Sequence, residues 1–483
     1  MPVTTGSSSK GPEVFVLGAG FSRAVSGCMP LTDELGNEAL LRDRENLGRP
    51  DSKSIFRDGQ FEAWLSRRAE AQPYLASSAA IANQAVFARA TALIGRILDE
   101  RVQQVLESPL PAWLGELLTI WHLRKSHVLT FNYDPIVECA FETMRFWDWK
   151  ESAPFQWGSL LNYSPEGKAG ASFAEEMGSG APHPSFRLWK LHGSLNWLWV
   201  PGDSSGATVR RVRLPGTFGA PVAVTDEELH WRAPGRERFI VPPAALKSSY
   251  YSNPVTREIW QRGYNALRSA ERISLLGYSL PQTDLSTSGM LAEALAGGAV
   301  GEVNIVDLAH GGGSIPARVR ALGIFGVEPV TDWCGDDAVI RYVDRLVADA
   351  SSEAFVKIRG ALVASETPLL VDWGDPGDPH KPGRSAAIVK ADLDWTRGAV
   401  VLASEELSTI SDTTRSRRND APGNAPVTVA ELRAMSGGPA QVILNVPGVR
   451  RDIRIVDAVT RTYATGHGDG TWLQLVPAGH CSD

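Results

Sequence analysis

Five short apolar runs recur over the first 310 residues, and each ends on glycine or a polar cluster. Val14-Phe15-Val16-Leu17 passes into Gly18-Ala19-Gly20 and then Phe21-Ser22-Arg23-Ala24. His127–Phe131 ends at Asn132-Tyr133-Asp134, and Phe186–Leu191 at His192-Gly193-Ser194. Ile273–Leu276 ends at Gly277-Tyr278-Ser279, and Val303–Val306 at Asp307. Unalternated runs of this length between turn residues predict buried strands. Between them the pattern becomes helical. FEAWLSRRAEAQPYL, SAAIANQAVFARATALIGRILDERVQQVLE and PAWLGELLTIWHL are rich in Ala, Leu, Arg and Glu and form a helical insertion over about 31–123. PIVECAFETMRF, opened by Pro135, and PVTREIWQRGYNALRSA read as further helices.

Strands alternating with helices imply βαβ units. The fold class expected is α/β: a Rossmann-like, mostly parallel sheet with a helical insertion, followed by a small β-rich C-terminal domain. Residues 1–12 read as a flexible tail and 13–345 as the sheet domain. The Gly/Ser/Pro-rich stretch 151–185 reads as a long excursion, and 200–238 as hairpin or loop. Residues 346–384 form a connecting segment containing the turn-rich VDWGDPGDPHKPGR. AAIVKA, GAVVLA, PAQVILNV and TWLQLVP mark strands within 385–483, a region expected to serve regulation or assembly.

Composition narrows the ligand. A net charge of -7 argues against a chain that must coat nucleic acid. The four cysteines, Cys28, Cys139, Cys334 and Cys481, are scattered without C-x-x-C or histidine spacing, so no metal is expected; they suit thiols of a reducing cytoplasm. No stretch reaches about 18 apolar residues, and no membrane association is expected.

Candidate chemistry sits at the strand ends, where open parallel sheets bind their ligands. The Gly18–Ser22 turn, leading into a helix, suits a phosphate, with Ser22 and the backbone around Ala19 and Phe21 as contacts. Asn132 and Asp134 allow two readings, orientation of a sugar hydroxyl or water, or capping of the helix near Pro135. His192, among Trp189, Trp197 and Trp199, has the chemistry of a proton acceptor near neutrality, or is a structural histidine.

In order along the chain, GAGFS, TFNYD, KLHGS, GYSLP and NIVD resemble the sirtuin superfamily, and the set is closer still to the sirtuin-like proteins of bacterial anti-phage defence. FEAWL and IVPP add to that likeness. The resemblance covers about 13–310. It implies an NAD hydrolase that releases nicotinamide and ADP-ribose and depletes NAD in abortive infection. Asn132 and His192 would be catalytic. Gly18, Ala19, Gly20, Phe21, Ser22, Asp33, Asp134, Ser194, Gly277, Ser279 and Asp307 would hold NAD. It also implies a homo-oligomer controlled by a phage-derived trigger or a partner such as a helicase or an Argonaute-like protein. The chain departs from the deacylase branch, which carries a four-cysteine zinc module after the histidine: no cysteine lies between Cys139 and Cys334 here. Two other readings are a non-catalytic nucleotide sensor and an NAD-dependent deacylase.

Overall fold

A computed structural model describes residues 12–48, 56–144, 147–148, 153–154, 156–161, 185–223, 235–244, 248–281, 284–297, 299–322 and 327–349, and seven strands between 369 and 477. The proposed tail, except Pro12, and most of the 151–185 excursion lie outside them. The chain divides into two compact units. The first comprises Met1–Pro111, Arg124–Glu142 and Trp147–Tyr342; the second comprises Ala112–Leu123, Thr143–Phe146 and Val343–Asp483.

The first unit is built on a six-stranded sheet: β1 (Glu13–Leu17), β2 (His127–Thr130), β3 (Arg187–Lys190), β4 (Arg272–Leu276), β5 (Glu302–Asp307) and β6 (Pro329–Cys334). Every neighbouring pair is parallel, and the spatial order is β3-β2-β1-β4-β5-β6. This is the doubly wound Rossmann order, in which the direction of winding reverses between β1 and β4. All five residues of β1 are buried, as a central strand covered on both faces requires. At the N-terminal end of β1, Glu13 accepts hydrogen bonds from Ser274 (2.7 Å) and Tyr342 (2.6 Å).

The helices that bear on the site are α1 (Ala19–Val25), α2 (Thr32–Arg42), α3 (Gln60–Ala69), α4 (Ser77–Leu106), α5 (Ile136–Met144), α6 (Pro254–Ser269) and α7 (Leu285–Ala296). Their starts follow local chemistry. Asn253 caps α6 through the Val255 amide, with Pro254 in the first turn, and Asp284 caps α7 through the Thr287 amide. The Ala112–Arg124 helix, expected to close the helical insertion, falls for the most part in the second unit.

The structure adds a strand after β3 and changes one expectation. After a two-residue turn the chain re-enters extended structure at Gly193–Trp199, a fully buried strand paired antiparallel with Glu237–Ile240. Gly193 makes this possible with φ +75°, and a Cβ there would stand 2.0 Å from the Phe239 carbonyl oxygen. In the second unit, Leu369–Trp373, assigned to the connecting segment, is a strand paired with Arg384–Ile388. Its apolar LLV start outweighs the turn-rich residues that follow. It belongs to a seven-stranded antiparallel sheet with Val442–Leu444, Ile453–Thr465, Gly468–Pro477, Ala399–Ala403 and Ala391–Asp394.

Candidate active site at the sheet switch point

The glycine turn after β1 and the loop after β4 lie against each other where the winding reverses. Gly18 donates to the Leu276 carbonyl (3.1 Å), Gly20 to the Gly277 carbonyl (2.9 Å), and Phe21 to the Gly18 carbonyl (2.9 Å). A Cβ on Gly18 would fall 2.6 Å from the Gly277 oxygen, and one on Gly277 2.2 Å from the Phe21 nitrogen. The glycines therefore serve first to let two loops touch. Three amides of the Gly18–Ser22 turn, those of Gly18, Gly20 and Phe21, are thus engaged within the protein.

Ser22 is likewise drawn inward. At 2% exposure, its hydroxyl donates to Asp134 Oδ2 (2.8 Å) and accepts from Asn132 Nδ2 (2.9 Å). Asn132 Nδ2 also donates to the Gly18 carbonyl (2.9 Å). The capping reading of the FNYD segment holds for Asp134, whose Oδ1 accepts the Ile136 amide at the start of α5, while Asn132 is tied to the glycine turn. The Asn132 amide donors are occupied and its Oδ1 is the polar atom left for a ligand hydroxyl or water.

Asp134 is supported from beneath by a buried ion pair. Lys190 Nζ donates to the Asp134 carbonyl oxygen (2.8 Å) and to Glu138 Oε1 (2.9 Å), with the two side chains 0% and 1% exposed. Burial pushes the Asp134 carboxyl above the ordinary aspartate range, against the pull of Lys190 and Ser22. A raised value means that the folded state prefers the protonated acid. Its contribution to stability is then fully present below the ordinary value and is lost as pH rises through the raised one. The stability advantage of wild type over Asp134→Asn, read from urea midpoints, is therefore expected to be larger at pH 4 than at pH 8. An equal difference at both pH values would contradict a raised Asp134.

His192 is 6% exposed and enclosed by rings. Phe131 meets it edge-on at 5.0 Å, Trp260 lies at 6.2 Å and Tyr133 at 6.5 Å. Phe131 and Tyr133 flank Asn132 in sequence, so β2 brings the asparagine and the histidine to one place. Trp260 is held by its indole N–H on the Leu191 carbonyl (2.9 Å), and Tyr278 stacks on Phe131 at 4.6 Å. The His192 carbonyl accepts the Val241 amide and Tyr133 Oη donates to the Val241 carbonyl, which locks the FIVPP segment beneath the ring.

Two carboxylates that sequence reasoning passed over belong to this neighbourhood. Asp284 Oδ2 stands 3.8 Å from His192 Nε2, and both side chains are buried. Glu62 of α3, 7% exposed, lies close enough to act on the same phenols. Burial, and then the fields of these carboxylates, push the Tyr133 and Tyr278 hydroxyls up, and Tyr251 is raised by burial and then chiefly by Asp284. The Ser286 and Thr287 hydroxyls pair with those of Tyr251 and Tyr278 and draw the two phenols back part of the way. A groove of about 430 Å³ between α6 and α7 is lined by Tyr251, Thr256, Trp260, Leu285 and Met290. The signals for these residues were slight: FEAWL for Glu62, and the helix-capping pattern Asp-x-x-Thr for Asp284.

The other expected contacts separate. Asp307 ends β5, half-buried, its carboxyl pushed up by burial and bonded to the Ala309 amide. Ser279 is exposed, and its carbonyl accepts from Arg318. Ser194 is fully buried and bonds the Tyr133 carbonyl and Asn196, a structural role. Asp33 is engaged elsewhere, accepting the Gly59 and Phe61 amides (2.8 and 3.0 Å) at the start of α3. Among the described residues no group of three or more His, Cys, Asp or Glu is placed to hold a metal ion, and no helix is long and apolar enough to cross a membrane.

No protein-family model and no curated protein matches the chain. Among solved structures it is similar to "Structural Basis for the Mechanism and Regulation of Sir2 Enzymes", at 12% identity over 71% of this chain and 95% of that chain, with TM-score 0.30. It is also similar to "Sir2-p53 peptide-NAD+", at 12% identity over 70% and 92%, with TM-score 0.32.

Proposed function

We propose that the protein is an NAD glycohydrolase that cleaves NAD to nicotinamide and ADP-ribose, with Asn132 and His192 as its catalytic residues. The observation that carries this reading is their convergence at the switch point between β1 and β4: Asn132 tied to the glycine turn with Oδ1 left as an acceptor, and His192 enclosed by Phe131, Tyr133 and Trp260. The ordered motifs of the sequence point the same way.

In the reaction the bond from the ribose C1′ to the nicotinamide nitrogen breaks, and its electron pair neutralises the pyridinium ring. The leaving group therefore needs no acid. The sugar passes through an oxocarbenium-like state, as in glycoside hydrolysis, and a water oxygen bonds to C1′. Asn132 Oδ1 orients that water or a ribose hydroxyl, and His192 accepts the proton the water loses. Asp307, at the end of β5, suits a ribose hydroxyl further along the ligand. Depletion of NAD would make the protein an effector of anti-phage defence, held in check by a partner protein or a phage-derived trigger and working as a homo-oligomer.

The test is nicotinamide release from NAD by the purified chain beside His192→Ala and Asn132→Ala, with folding checked by circular dichroism. Wild type is expected to release nicotinamide without any acylated peptide, and each folded variant to lose about 100-fold or more. Binding of NAD without turnover, in buffer and in phage-infected lysate alike, would replace hydrolysis by sensing. A strict need for an acylated peptide would replace it by deacylation.

A further inference from the structure

His192 is buried among the rings of Phe131 and Trp260, and an oxygen of Asp284 comes within ion-pair distance of it. The two carboxylate oxygens divide their work. Oδ1 accepts the Thr287 amide and caps α7 (3.4 Å), while Oδ2 stands 3.8 Å from His192 Nε2. The backbone of Asp284 is pinned as well, its amide donating to the Pro281 carbonyl and its carbonyl accepting the Ser288 amide. A helix start needs a capping side chain, and serine, threonine or asparagine serves as well as aspartate.

We infer that Asp284 is the positioning residue of His192: its carboxylate orients the imidazole and stabilises the imidazolium that forms when the ring takes up a proton. The source of that proton rests on the hydrolase reading; the pairing itself does not. A carboxylate behind a histidine fixes the ring's tautomer and compensates its positive charge without itself being protonated. At 3.8 Å the two groups are within ion-pair reach rather than hydrogen-bond reach, so the carboxylate acts on the ring through its charge. The other titratable groups around this space are Glu62 of α3, Tyr133 after β2, Tyr251 just before α6, and Tyr278 after β4. The phenols are raised by burial and stay neutral, so Glu62 is the one rival carboxylate among these groups.

The experiment is an NMR titration of the His192 ring in the full chain with isotope-labelled histidine, the signal assigned by its loss in His192→Gln. Wild type is compared with Asp284→Asn, which keeps a capping oxygen and removes the charge, and with Glu62→Gln. Asp284→Ser, a second uncharged cap, guards against a variant that fails to fold. The midpoint of His192 protonation is expected to fall by about one pH unit in Asp284→Asn and by less in Glu62→Gln. The acid limb of the pH profile of nicotinamide release should move in the same direction. An unchanged midpoint in folded Asp284→Asn and Asp284→Ser, or a larger shift in Glu62→Gln, overturns the assignment. If wild type consumes no NAD but the midpoint still falls in Asp284→Asn, the pair stands and the hydrolase reading alone is lost.

Discussion

Gly277→Ala is expected to destabilise the first unit by roughly 3–5 kcal/mol, whereas Gly202→Ala, also at positive φ, costs only about 1 kcal/mol. Both residues lie in the left-handed region, at φ +57° and +84°. The difference is space. A methyl on Gly202 meets nothing within 4 Å, while one on Gly277 would stand 2.2 Å from the Phe21 nitrogen and 2.3 Å from the Gly20 carbonyl carbon. Those are backbone atoms that cannot turn aside, so β1 and β4 must part or the loops must unravel. Urea unfolding followed by tryptophan fluorescence compares the two variants. Equal midpoints would mean that the loops do not touch as described.

Lys190→Met is expected to cost about 3–5 kcal/mol, because it leaves Glu138 buried without its counter-charge and frees the Asp134 carbonyl. Burial pushes the Glu138 carboxyl up, and its Oε2 has no hydrogen-bond partner among the described residues. The loss should therefore depend on Glu138. In Lys190→Met/Glu138→Leu the charge that needed compensation is gone, and at least half of the stability should return, since replacing both members of a buried pair by apolar groups is often close to neutral. The double-mutant cycle is read from the same urea midpoints. A double variant no more stable than Lys190→Met would show that the lysine acts through the Asp134 carbonyl instead.

The buried pair and the glycine contact explain what could be read from the sequence. The five strands at the heart of the sheet were legible as apolar runs because a parallel sheet covered on both faces admits few polar residues. The sixth, Pro329–Cys334, was not: it pairs only with β5, most of its side chains are partly exposed, and its PVTDWC sequence carries no apolar run. At the site, Asn132, Asp134 and His192 stood out as polar residues at strand ends. Glu62 did not, because a glutamate in a helix with flanking arginines reads as a solvated face; its burial depends on long-range packing that no local pattern records. Asp33 has a role the sequence did not suggest. It follows the glycine turn closely in sequence, but its short carboxylate bridges to Gly59 and Phe61, and α3 starts there. The glycines were legible as a tight turn, while the partner that requires them, the loop at Gly277, lies in a distant part of the chain.

That distance also shapes how the protein comes into being. More than half of the chain lies between Gly18 and Gly277, and the contact between them closes the crevice. At 5–20 residues per second a ribosome takes roughly 10–50 s to pass from one to the other. During that interval β1 can find β2 but not β4, so a nascent chain has its asparagine and later its histidine with no pocket to put them in. A message broken before the codon for Gly277 yields a product with neither the second loop nor Asp284, and such a fragment is expected to lack the proposed activity. The order of strands in the sheet thus delays assembly of the candidate site until the segments around β4 have been made.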